Sequence, residues 1–233
     1  MKVIGIIAQP RSGSTTLCKA IEHTCRANIK KVLNFGELFN GEINTPLSHQ
    51  SLPIPEFTHL SKIDYLNNLI QICKRYRKGD VIIIKFLEMN QSPSELESML
   101  KMCDFVINLY RDDIVNASIS YAYAEINGSW REKKISPTDI NISKCYNYIV
   151  QYYKRHIYFS ELLKIIGVNG YTVSHEQLHD DSVFRSVMDF LGEEGLNANP
   201  FKLDITYTDK ESINDIDNIR HQLDSFIKMK LQQ

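Results

Sequence analysis

The sequence predicts an α/β fold, a central parallel sheet flanked by helices, and three observations predict it. The chain opens on the apolar run Val3-Ile4-Gly5-Ile6-Ile7-Ala8, which reads as a buried strand and passes directly into a small, hydroxyl-rich loop and a helix. Val81-Ile82-Ile83-Ile84-Lys85 and the segment Phe105 to Tyr110 have the continuous apolar character of strands covered on both faces. Segments with helical spacing lie between these runs, and alternating strands and helices form a parallel sheet.

Each element can be justified in order. Leu17, Ala20, Ile21 and Thr24 recur at helical spacing, so a helix is predicted from about Ser14 to Arg26. A second strand is predicted over Lys31 to Phe35. Glycines flank the acid in Gly36-Glu37-Leu38-Phe39-Asn40-Gly41, which places Glu37 on a loop near that strand's end. Residues 42–60 are rich in Pro, Ser, Asn and His without periodicity, as a substrate-facing loop or a surface excursion would be. Tyr65, Leu66, Leu69, Ile70 and Cys73 mark a helix ending near Lys78-Gly79. Ser92-Pro93-Ser94-Glu95 carries an N-cap serine, a proline at the first helical position and the acid of a capping box. A helix follows from about Ile114 to Glu125. The stretch from Ile142 to Ile166 reads as a long helix whose aromatic stripe belongs to the core. Gly170 to Ser174 is a last strand, Ser182 to Leu191 a helix, and Ile213 to Met229 a terminal helix, with 195–212 unassigned.

The bulk numbers narrow the function classes. A chain of 233 residues can bury a large core, and it reads as one domain over 1–233 with a helical C-terminal extension from about 195 to 233. A net charge of −1 argues against broad electrostatic binding of nucleic acid or acidic membranes. Cys18, Cys25, Cys73, Cys103 and Cys145 are odd in number and lack metal-type spacing, which points to reduced thiols in the cytoplasm. The opening apolar run is too short for a signal peptide, and no segment is long enough to span a bilayer.

Chemistry concentrates in Gln9-Pro10-Arg11-Ser12-Gly13-Ser14-Thr15-Thr16. Backbone N–H groups at a helix start, a glycine permitting close approach, hydroxyl donors and a guanidinium suit a phosphate or sulfate group. A Walker A loop would put a lysine between the glycine and the hydroxyl residue at the helix start; here Gly13-Ser14-Thr15 stands, and the cation comes earlier, at Arg11. That departure favours sulfuryl transfer over ATP chemistry. In a parallel sheet the ligand lies beyond the strands' carboxyl ends, so the loops after Ala8, Phe35, Lys85 and Tyr110 are expected to converge. They carry Arg11, Ser14, Thr15, Thr16, Glu37, Lys85, Arg111 and Ser120.

At these residues the chain resembles the sulfotransferases that use 3′-phosphoadenosine-5′-phosphosulfate (PAPS). Pro10-Arg11-Ser12-Gly13-Ser14-Thr15 resembles their 5′-phosphosulfate loop. Leu109-Tyr110-Arg111-Asp112-Asp113 with Ser118-Ile119-Ser120-Tyr121 resembles their 3′-phosphate motif. The nearest resemblance is to the bacterial trehalose 2-sulfotransferase family. It is carried also by Gly36-Glu37-Leu38-Phe39, by Ala124-Glu125-Ile126-Asn127-Gly128-Ser129-Trp130, and by His175-Glu176-Gln177-Leu178 with Phe190-Leu191-Gly192. The resemblance runs from the start of the chain to about Gly192 and implies a P-loop-like sulfotransferase fold.

The resemblance also implies roles. Arg11 meets charge on the bridging oxygen, while Ser12, Gly13, Ser14, Thr15 and Thr16 cradle the 5′-phosphate. Arg111 reads the 3′-phosphate with a serine hydroxyl, Ser120 in preference to Ser118. Lys85 matches the catalytic lysine of the cytosolic enzymes, whose histidine two residues on is Leu87 here. Glu37 stands where the trehalose-type enzymes have their general base, a role that a desolvated carboxylate can fill, with His49 as the alternative. No metal is expected. The acceptor implied is a small hydroxyl compound, a carbohydrate, and the relatives suggest a homodimer. Trp130 is read as packing a helix end and His175 and Glu176 as structural; Lys210 and Arg220 are left without a role. Two other classes stand beside this reading. A P-loop nucleotide or small-molecule kinase would require a lysine at the helix start and a magnesium-binding acid. A non-catalytic nucleotide-binding relative would require neither.

Overall fold

The computed structural model describes residues 1–39, 60–76, 79–87, 92–127, 140–193 and 216–231. In chain order the elements are β1 (Lys2–Ala8), α1 (Ser14–Ala27), β2 (Val32–Glu37), α2 (Lys62–Tyr76), β3 (Val81–Leu87), α3 (Pro93–Leu100) and β4 (Phe105–Tyr110). They continue with α4 (Ile114–Asn127), α5 (Ile142–Ile166), β5 (Gly170–Ser174), a 3₁₀ turn (Gln177–His179), α6 (Asp181–Phe190) and α7 (Ile216–Leu231). The chain divides into two compact units, Met1–Tyr110 with Phe159–Asp204 and Arg111–Tyr158 with Ile205–Gln233.

The first unit is a five-stranded sheet in the order β2-β3-β1-β4-β5. Every neighbouring pair is parallel. Helices cover both faces, which is why the strands read as unbroken apolar runs. On one face Val3, Ile7, Ile82 and Ile84 meet α2, α3 and the end of α5 at Phe159 and Leu162. On the other, Ile4, Ile6, Ile83 and Ile107 meet Leu17 and Ile21 of α1 and Phe184 and Val187 of α6. Leu17 is fully buried at that interface, and truncating it to alanine costs about 2–5 kcal/mol.

Local chemistry sets the element ends. The capping box of α3 forms as the sequence predicts: Glu95 N–H donates to Ser92 Oγ at 3.4 Å and Ser92 N–H to Glu95 Oε2 at 2.8 Å. Helix α6 begins one residue ahead of the expected Ser182, because Asp180 is its cap and accepts from Ser182 N–H at 2.7 Å.

Strand β2 runs to Glu37, beyond the Phe35 expected, and this corrects the placement of Glu37 on a loop. The physical reason is an irregularity in the ladder. Asn34 pairs with Ile83 and Gly36 with Ile84, which leaves Phe35 as an extra residue. Gly36 takes a left-handed φ of 55°, and its N–H donates to Asn34 Oδ1 at 3.1 Å. Pairing then resumes with Glu37 opposite Lys85. The extra residue resets the side-chain alternation, so Glu37 shares the face of Lys85 and not that of Phe35.

At the sheet's opposite, amino edge, Glu193 has a fully buried side chain clasped by Lys2 Nζ at 2.7 Å and Lys30 Nζ at 2.6 Å. Lys2 also donates to the Leu191 carbonyl, so one acid fastens β1, the end of α1 and the end of α6.

The second unit contains α4, the first part of α5 and α7. Ile114, Ala117, Ile119, Cys145, Ile149 and Leu223 are buried in it. The aromatic stripe of α5 is core only in part: Tyr152 and Phe159 are buried, whereas Tyr153 is 54% exposed. All five cysteines are free and buried. Among the described residues no helix is long and apolar enough to cross a membrane. His49, Trp130, Lys210, most of 42–60 and the whole of 195–212 lie outside the described residues.

Candidate active site

The chain leaves β1 toward β2 on one side and leaves β4 toward β5 on the other. That reversal puts a topological switch point at the carboxyl ends of β1 and β4, where open α/β sheets form their ligand crevices. The loop after β1 is tightly wound there. Ser12 N–H donates to the Gln9 carbonyl at 3.2 Å, Arg11 takes a left-handed φ of 65°, and Gly13 takes 81°. A non-glycine residue in that region stores backbone strain, a feature that collects at functional sites.

Gly13 is also the N-cap of α1, and it brings no side chain to the cap; the first turn contains no acid. The opening N–H groups of α1 therefore face the loop with the positive end of the helix dipole and no capping group from Gly13. Ser12 is completely buried, and its hydroxyl has no hydrogen-bond partner among the described residues. Such an orphan costs about 1–3 kcal/mol, which a bound acceptor oxygen would offset. These are the properties of an anion cradle.

Two walls of the cradle come from distant sequence. His175 follows β5, and its N–H donates to the Tyr110 carbonyl at 2.8 Å. Its imidazole packs its Cδ2 edge against Gly13: a Cβ added there would sit 2.1 Å from His175 Cδ2. His179 packs edge-on against that ring, with centroids 5.0 Å apart. The second wall is Lys85, a buried lysine on the α1 face of β3, whose Nζ donates to Thr15 Oγ1 at 3.0 Å and is ion-paired with Glu37. One turn along α1, burial pushes the Cys18 thiol up to about 12, with Lys85 pulling it down and Glu37 pushing it up. It is an inert neighbour of the loop.

The structure thus brings Arg11, Ser12, Gly13, Ser14, Thr15 and Thr16 to the carboxyl edge of the first unit and joins Thr15, Lys85 and Glu37 into one contact chain. Glu37 is the ion-pair partner of a lysine and keeps 27% of its side-chain surface, so it is not the desolvated carboxylate of the expectation. The contact of His175 with the loop was not foreseen. Its signal in the sequence was position alone, one residue past the last strand at the edge where β1 also ends.

In the second unit, Arg111 and Ser120 are half-buried, Arg111 ahead of α4 and Ser120 within it. Ser118 is fully buried and donates its hydroxyl to the Val115 carbonyl of its own helix at 2.7 Å. Asp113 is engaged as the cap of α4, accepting from Asn116 N–H at 3.0 Å. Among the described residues no group of three His, Cys, Asp or Glu side chains is arranged to hold a metal ion.

No family model and no curated protein matches the chain. Among solved structures it is similar to mouse sulfotransferase SULT7A1 complexed with PAP, with a TM-score of 0.52 and 13% sequence identity, over 93% of this chain and 68% of that one. At that identity what the two share is the fold. The chain has the P-loop-like α/β fold of a sulfotransferase, five parallel strands with helices on both faces.

Proposed function

We propose that this chain transfers a sulfuryl group from PAPS to a hydroxyl of a small acceptor, a carbohydrate as in the trehalose 2-sulfotransferase family. The observation that carries the reading is the buried Ser12 hydroxyl, without a hydrogen-bond partner among the described residues, in a glycine-capped helix start that lacks both an acid and the Walker lysine. The donor supplies sulfur already activated by a phosphate leaving group. Ser12, the N–H groups of residues 13–16 and the hydroxyls of Ser14, Thr15 and Thr16 hold its 5′-phosphate. Arg111 and Ser120 hold the 3′-phosphate, for which Ser118 is unsuited because its hydroxyl is spent inside α4.

In the transfer, a bond forms from the acceptor oxygen to sulfur while the bond from sulfur to the 5′-phosphate oxygen breaks. The acceptor's proton passes to the Glu37 carboxylate. Charge on the departing oxygen is met by Arg11 and Lys85, and by analogy with phosphoryl transfer such electrostatics carry most of the rate. The reaction belongs in the cytoplasm, and a homodimer is the proposed assembly.

Calorimetric titration with 3′-phosphoadenosine-5′-phosphate against ADP tests the reading. The 3′-phosphate compound is expected to bind more tightly; preference for ADP, or binding of neither, overturns it. A screen of sugars with labelled donor then identifies the acceptor.

A further inference from the structure

Arg111 is tied in place by groups that contact no nucleotide in the reading above. Its backbone N–H donates to the hydroxyl of Tyr152, a residue of α5 that is 2% exposed. Tyr152 in turn packs on Tyr148, with ring centroids 5.9 Å apart, and Tyr148 on Tyr121 of α4 at 4.7 Å. The peptide that launches Arg111 is thus fixed to a buried oxygen at the end of an aromatic stack.

A second tether reaches the same segment from α7. Arg220 donates from Nη2 at 2.6 Å and from Nε at 3.2 Å to Asn116 Oδ1. Asn116 donates its side-chain amide to Asp113, and Asp113 accepts the Asn116 N–H as the cap of α4. Asp217 holds the far side of the guanidinium at 3.4 Å. Arg220, Asn116 and Asp113 therefore form one relay, from the C-terminal helix to the turn two residues after Arg111. Its two N–H donors on a single oxygen give this tether a fixed geometry that a lysine could not reproduce.

We infer that Tyr152 and Arg220 are positioning residues for Arg111, fixing the peptide and the first turn that aim its guanidinium at the donor's 3′-phosphate. The inference rests on the proposed function. Neither side chain touches ligand in it. Both fix the backbone from which the arginine side chain extends, so that less backbone freedom is lost when the phosphate binds.

The test compares two ligands that differ only in the 3′-phosphate, 3′-phosphoadenosine-5′-phosphate and AMP, titrated into the 233-residue chain. Tyr152→Phe removes one oxygen and leaves the packing intact; Arg220→Gln removes the fork. Each is expected to weaken the bisphosphate by about fivefold and AMP by less than about twofold, and Arg220→Lys is expected to restore little. Arg111→Gln is the reference and is expected to abolish the difference between the ligands. If Arg111→Gln keeps that difference, or the wild type shows none, the assignment of Arg111 fails and the inference falls with it. If Arg111→Gln loses it while Tyr152→Phe and Arg220→Gln retain it, the positioning role alone is overturned. Equal losses for both ligands also overturn it, since they report general loosening. Should Arg220→Gln unfold, Tyr152→Phe decides the matter alone.

Discussion

Glu37 and Lys85 face each other across the β2–β3 ladder and are ion-paired, with the ammonium also donating to Thr15 at the start of α1. The proposed base and a buried cation beside the loop after β1 are therefore one unit. Each holds the other in place before any ligand arrives.

Replacing Glu37 by Gln is expected to leave 3′-phosphoadenosine-5′-phosphate binding within about twofold and to cut turnover by roughly 10²–10⁴. The same change takes a counter-charge from a lysine that is 4% exposed, so stability is expected to fall by about 1–3 kcal/mol. Adding Lys85→Met should recover part of that stability and none of the turnover. Isothermal titration, steady-state rates and thermal unfolding read the three effects. Full activity in Glu37→Gln sinks the assignment.

Ser12→Ala removes a buried hydroxyl that has no hydrogen-bond partner among the described residues. Thermal stability is expected to hold or to rise by up to about 1 kcal/mol, while affinity for the bisphosphate nucleotide drops several-fold. Parallel melting and binding curves check the opposite signs. A fall in stability with unchanged affinity makes the residue ordinary core.

Gly13→Ala combines a strained left-handed backbone conformation with a collision against His175. Nucleotide binding is expected to be lost. In Gly13→Ala/His175→Ala the collision is gone and the positive φ stays, at a cost of about 1 kcal/mol, so binding should return in part. No recovery in the double variant makes the backbone term the whole effect.

Glu193 gives a prediction in pH. Burial alone raises its carboxyl, but hydrogen bonds and charge from Lys2 and Lys30 outweigh that and hold it below its ordinary 4.5. The unfolded chain thus takes up a proton before the native one does. The clasp's contribution is complete above about pH 5 and is lost as pH falls through 4.5 and below. Glu193→Gln is expected to cost roughly 2–3 kcal/mol at neutral pH, less than a fully enclosed pair because both lysines can turn to water, and to flatten the acid limb of the melting curve. An unchanged acid limb removes the clasp from the account.

What was legible in the sequence was whatever a continuous run or a local cap encodes. Strands β4 and β5 and helix α5 have the predicted limits, because apolar runs and helical spacing end there against polar residues. The loop Gln9–Thr16 was found for the same reason: all its parts are contiguous. What escaped depends on register and return. The pairing of Glu37 with Lys85 follows from an extra residue in β2, which no composition announces. His175 reaches Gly13 only because β5 lies beside β4, and the partner of Arg220 is 104 residues away in the chain. A sequence read by local periodicity has no access to these.

Phe35, the residue that β2 carries in excess of its ladder, makes the chemistry of this edge a matter of parity. With the same residues paired in an unbroken ladder, Phe35 would fall opposite Ile84 and Gly36 opposite Lys85. Glu37 would then stand opposite Phe86, on the apolar side that packs against α2, and Lys85 would have a glycine in place of its acid. What this strand presents therefore depends on where its ladder slips as much as on which residues it contains.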